Sequence, residues 1–107
     1  MNTDKINEVS FQIIMNAGDA RSTAMESLAE AKKGDIDKAK KLIKEARNQI
    51  NNAHQYQTSL INAEANGEKN EINVLLIHSQ DHLMNAMTVL DLAEEFIDLY
   101  DIVYQKL

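Results

Sequence analysis

The 107-residue chain has no cysteine and no proline, only three glycines, and no tryptophan. Without cysteine there is no disulfide, no thiolate nucleophile and no thiolate metal site, which suits a reducing compartment. Average proline usage of ~5% would give about five, so their absence favours long uninterrupted helices. Basic charge is also in deficit. The formal net charge is −6, and nucleic-acid binding, which draws most of its affinity from a basic face, is not expected. No apolar run approaches the ~20 residues that a membrane helix needs, so direct membrane insertion is not expected. The stretch MNTDKINEVS has no basic segment leading into an apolar one, as a secretory signal would. One cytoplasmic, unprocessed domain spanning residues 1–107 is the expectation.

What is present is helical periodicity. Gly34 and Gly67 are the clear punctuation marks, each suited to a left-handed helix cap, with Asp35 and Asn70 placed to cap the helices that follow. The spacing predicts helices over about 4–33, 36–66 and 71–106, an all-α antiparallel three-helix bundle. In the second, Ile36, Ala39, Ile43, Ala46, Ile50, Ala53, Gln57 and Leu60 alternate steps of three and four. That is a two-position seam with one polar interruption, Gln57. The first helix offers Ile6, Val9, Ile13, Ala17, Ala20, Ala24 and Leu28, with Gly18 among them. A mid-helix glycine costs about 1 kcal/mol against alanine, which points to a packing reason.

The third helix carries more apolar surface than a bundle requires. Leu76, Leu83, Leu90 and Ile97 recur every seven residues beside Ser79, Ala86 and Ala93. Leu75, Val89, Phe96 and Val103, then Leu92 and Leu99, continue round the wheel. A small bundle needs one stripe. The excess predicts that this helix is buried on a second side by copies of itself in a closed homo-oligomer.

Charge is unevenly spread. Lys32, Lys33, Lys38, Lys40, Lys41, Lys44 and Arg47 sit in the middle, and Asp91, Glu94, Glu95, Asp98 and Asp101 near the end. Solvated helix faces and a docking surface for a charged partner both fit.

The chemistry concentrates in VLLIHSQDHLMNAM, residues 74–87. His78 and His82 are spaced i,i+4 and share a face, with Asp81 between them, off the intramolecular seam and on the shoulder leading to the second surface. Three readings compete. The histidines are structural residues that find hydrogen bonds at an interface. Or HSQDH approximates the inverted zinc-protease pattern, with Asp in place of Glu and few other ligands available. Or a partly exposed histidine carries a phosphoryl group, since neutral imidazole accepts and releases one readily near pH 7. No glycine-rich phosphate loop is present, which speaks against a nucleotide substrate.

NAGDARS (Asn16 to Ser22), AHQYQT (Ala53 to Thr58) and above all HSQDHLM (His78 to Met84) resemble the lactose/cellobiose-type enzyme IIA of the bacterial phosphoenolpyruvate-dependent sugar phosphotransferase system. The resemblance implies a trimer of three-helix bundles. It places the phosphoryl-accepting histidine at His78 and, at Asp81, the aspartate that binds one structural Mg2+ shared between the three subunits. His82 and Gln80 match positions near the site. The implied donor is the phosphocarrier HPr and the implied acceptor is enzyme IIB, in the uptake of a disaccharide of the lactose, cellobiose or chitobiose class. A reading from another class stays open: a non-catalytic helical oligomerisation or regulatory adaptor whose histidines bind metal.

Overall fold

Two glycine turns divide the molecule. At the first, the Gly34 N–H donates to Ala31 O at 2.9 Å and the Asp35 N–H to Glu30 O at 3.0 Å, with Gly34 at φ +93°. At the second, the Gly67 N–H donates to Glu64 O and the Glu68 N–H to Ala63 O, both at 3.0 Å, with Gly67 at φ +87°. These paired bonds satisfy the last carbonyls of each helix, and only glycine enters that backbone region without strain. The computed structural model describes residues 1–107 as three helices: α1 (Thr3–Lys32), α2 (Ile36–Ala65) and α3 (Val74–Lys106). They form the all-α, up-down-up bundle that the periodicity predicts.

The start of α3 lies three residues beyond its expected position at 71. Asn70 is not the cap; its side-chain amide donates to Leu60 O at 3.0 Å. Glu71 is held by the Thr3 hydroxyl. The chain therefore stays non-helical across the bundle end until Asn73, whose side chain accepts from the Leu76 N–H at 2.8 Å and caps the helix.

Most seam residues are buried as their spacing requires, with Leu28, Ile36, Gln57 and Leu76 half-buried. Ile13, Ala17, Ala20 and Ala24 of α1, Ala39, Ile43, Ala46, Ile50 and Ala53 of α2, and Leu83, Ala86, Leu90, Ala93 and Ile97 of α3 belong to one core. Small residues on α1 let the other two helices approach it closely, whereas α2 and α3 meet more sparingly. Polar side chains bridge that third groove. Arg47 donates from Nε to Glu94 at 2.8 Å and from Nη2 to Asp91 at 3.0 Å, and Lys40 lies 4.0 Å from Asp101. The hydrogen bond to Glu94 is the largest cause holding the Arg47 pKa above its ordinary value, against the opposing effect of burial. Part of the charge asymmetry is thus met within the chain, Lys40 and Arg47 of α2 against Asp91, Glu94 and Asp101 of α3.

The molecule is a rod of 57 × 20 × 16 Å. Its outer surface retains the apolar surplus of α3: Leu92 is 54% exposed, Leu99 53%, Phe96 47% and Ile77 58%.

Gly34 gives a test of the first turn. A Cβ there would lie 3.3 Å from the Tyr104 ring, besides straining the backbone at positive φ, whereas one at Gly67 would meet nothing within 4 Å. The Tyr104 hydroxyl also donates to Lys32 O at 2.6 Å, so the ring has little freedom to move away. Gly34→Ala is expected to cost about 1–3 kcal/mol and Gly67→Ala less. Thermal melts of the two variants check this order.

Candidate phosphoryl-transfer site

The site sits on the first turns of α3, and the chain around it explains why that helix starts where it does. The Asn73 side chain, besides capping, donates to Asn7 Oδ1 at 2.9 Å and ties the start of α3 to α1. One turn further on, His78 and Asp81 are exposed, and His82 and Gln80 are half-buried. The rings of His78 and His82 meet edge to face, with centroids 5.1 Å apart and planes at 86°. His82 lies against α1, its Cε1 4.0 Å from where a Cβ on Gly18 would stand. His82 thus sits on α1 beside the glycine of NAGDARS, where a Cβ would make only ordinary contact with it, and in turn backs His78.

Gln80 takes a different direction. Its Oε1 accepts from Gln57 Nε2 at 2.9 Å, and its own Nε2 donates to Ser79 Oγ at 3.2 Å. Gln57 Oε1 pairs with His54 Nδ1 at 3.2 Å, and Ser79 Oγ donates to Leu76 O at 2.6 Å. The structure brings His78 and His82 together with Asp81 nearby, and turns Gln80 to the α2 flank. Gln57 and His54 are partners the sequence reading missed. The signals in the sequence were the polar interruption of the α2 seam at Gln57 and the motif AHQYQT, which holds both residues.

The surroundings are apolar and exposed. Val74, Ile77 and Met84 lie on the same side of α3 as Asp81, and each is more than half exposed. The largest groove, about 560 Å³, lies elsewhere, between α1 and α2, and contains none of these residues. A carrier that exchanges a phosphoryl group with other proteins needs no enclosed pocket. It needs a projecting nucleophile, and the exposed ring of His78 is one. No group of three metal-ligating side chains occurs within one chain. Asp81 contributes a single exposed carboxylate. A hard cation fits it where copies of the chain bring several such carboxylates to one point.

Comparison with known proteins converges with this geometry. The family model described as "PTS system, Lactose/Cellobiose specific IIA subunit" matches residues 8–101. The lichenan-specific phosphotransferase enzyme IIA component of Bacillus subtilis is 50% identical over 98 residues, covering 92% of this chain and 89% of its own. The lactose-specific EIIA component of Staphylococcus epidermidis is 44% identical over 94% of this chain and 96% of its own. Among solved structures, the cellobiose-specific enzyme IIA of Bacillus anthracis superposes with a TM-score of 0.93 at 54% identity, covering 99% of this chain and 95% of that one. The chitobiose IIA of Escherichia coli, solved in complex with HPr, gives a TM-score of 0.81 at 37% identity, covering 92% and 96%. With its three-helix fold and its exposed histidine collar, this chain belongs to the lactose/cellobiose-specific IIA family of phosphotransferase-system components.

Proposed function

We propose that this chain is a phosphoryl carrier that accepts the group on His78 from HPr and passes it to a cognate enzyme IIB during uptake of a disaccharide of the lactose, cellobiose or chitobiose class. The observation that carries the proposal is the exposed His78 ring, one turn into α3, backed edge to face by the His82 ring. The complex of the Escherichia coli relative with HPr supports the choice of donor. In the step itself, a nitrogen of His78 bonds to phosphorus as the P–N bond of phospho-HPr breaks. The electron pair of that bond returns to the donor's imidazole, and the reverse events on enzyme IIB discharge the carrier. His82 backs the reacting ring and Gln80 supports the site. No helix is long and apolar enough to cross a membrane, and the carrier works in the cytoplasm beside its membrane permease.

The proposal includes a homotrimer built on the exposed apolar face of α3. Asp81 stands in the middle of that face, with Val74, Ile77, Leu92 and Leu99 around or above it. Three-fold closure would bring three Asp81 carboxylates together. Pairs ~4 Å apart repel by about 4 kcal/mol at an effective dielectric of ~20. One structural Mg2+ per trimer, bound by the Asp81 carboxylates, would neutralise them and take no part in transfer.

Incubation with phosphoenolpyruvate, enzyme I and HPr tests the function. The expected product is one acid-labile phosphate per chain, lost on adding the cognate enzyme IIB and its sugar. Well-folded protein that takes up no phosphate would favour the non-catalytic adaptor.

A further inference from the structure

The turn between α2 and the start of α3 has no part in the carrier step, yet it holds a reactive pair of residues. Asn66 is the C-cap of α2 and Gly67 follows it. No other asparagine in the chain precedes a glycine. Both residues are exposed, and a Cβ at Gly67 would meet nothing within 4 Å, so water reaches the pair freely. Asparagine amides are chemically labile. The group that attacks them is the backbone nitrogen of the next residue, which glycine, lacking a side chain, shields least.

The folded turn keeps the two reacting groups apart. At Asn66 ψ is 6°. Bringing the Gly67 nitrogen over the Asn66 side-chain carbon needs about 120° of rotation about ψ, given the bond angles at Cα. The Gly67 N–H is also committed, donating to Glu64 O at 3.0 Å, and the Glu68 N–H beyond it donates to Ala63 O at 3.0 Å. The rotation breaks both bonds. Further on, the Asn70 amide on Leu60 O and the Thr3 hydroxyl on Glu71 fasten the chain to the bundle end. Reaction therefore requires local opening of the turn, which costs less than global unfolding.

We propose that Asn66 is a site of spontaneous, backbone-assisted deamidation, gated by opening of the Gly67 turn. In the open turn the Gly67 nitrogen gives its proton to a solvent base and bonds to Asn66 Cγ. The Cγ–Nδ2 bond breaks, and ammonia leaves with a proton taken from water. Water then opens the five-membered imide at either carbonyl, giving aspartate or isoaspartate. The balance is one amide and one water to one carboxylate and one ammonium. Each product places a negative charge at the C-cap of α2, where the helix dipole is itself negative and the last turn holds no basic residue. Isoaspartate also adds a carbon to the backbone before the Gly67 nitrogen, which displaces its N–H from Glu64 O. The turn that leads to the Asn73 cap is then looser than before.

Ageing the full chain tests this. Protein is incubated at mildly alkaline pH, folded or in guanidinium, and peptide mapping by mass spectrometry follows every asparagine. Electron-based fragmentation separates isoaspartate from aspartate. Folded protein should convert Asn66 before any other asparagine. Its rate should be about ten-fold below that of the denatured chain, because two backbone hydrogen bonds must first break. Asn70→Ala, which frees the loop from Leu60 O, should bring the folded rate several-fold closer to the denatured one. Asn66→Gln, which would have to close a larger ring, should remove the product while circular dichroism shows the same fold. Asn66 untouched in folded protein once the denatured chain is fully converted, or another asparagine reacting first, would overturn the site. Equal rates in folded and denatured chains would overturn the gate, as would an Asn70→Ala rate no faster than wild type.

Discussion

His78→Ala is expected to fold normally and to take up no phosphate. The side chain is exposed on a helix, and its one noted ring contact is the edge of His82. Surface replacements of this kind change stability by no more than about 0.5 kcal/mol, and alanine favours the helix. The loss of acid-labile phosphohistidine is complete, because no other imidazole at the site is exposed. His82 is half-buried against α1 at Gly18, and His54 is engaged with Gln57 on another helix. His82→Ala should therefore keep acceptance at a reduced rate. Circular dichroism together with acid-labile phosphate after incubation with phospho-HPr reads both variants. Wild-type phosphorylation of His78→Ala would move the acceptor to another residue.

The second large effect is on assembly. Sedimentation equilibrium of the wild-type chain should give about three times 12.1 kDa. Leu92→Lys should give the monomer. Leu92 is more than half exposed in the single chain and lies beside the Asp81 row. Closing the trimer buries three copies of it, each worth about 1.5–3 kcal/mol, and three lysine ammonium groups would instead be dehydrated without partners. Asp81→Asn behaves differently. It should abolish cation binding and still sediment as a trimer, since the mutual repulsion leaves with the charge. Chelator should weaken the wild-type trimer alone. An Asp81→Asn protein that is monomeric without chelator would show that ligation, not apolar packing, closes the assembly.

Several elements were readable before any coordinates. Both glycine turns and the Asp35 cap follow from local chemistry, because positive φ and an unsatisfied helix end admit few residue types. The Ile/Ala alternation of α2 and the seven-residue rows of α3 predicted the buried seam, since a helix of 3.6 residues per turn repeats its facing side on those steps. The prominence of His78, Asp81 and His82 was legible for the converse reason: a core helix has no use for them there. The late start of α3 was not legible. Asn70 and Asn73 are equivalent as capping residues, and the choice turned on Leu60, Thr3 and Asn7, which approach only in the folded bundle.

Helix number and seam were thus set by the sequence alone, through periodicities and residue chemistries that act within a few turns. Three matters were decided by tertiary structure. Part of the charge segregation became an α2–α3 clasp, Arg47 with Asp91 and Glu94 and Lys40 with Asp101, because these groups face one another only when the helices pack. Gly18 came to lie beside His82, 64 positions away in the chain, although a Cβ there would make only ordinary contact with the ring. Gln80, two residues from His78, went to the opposite flank and joined Gln57 and His54. Sequence neighbours about 200° apart on a helix cannot serve one point from one chain, and only the packing of α1 and α2 around α3 determines which flank each one meets.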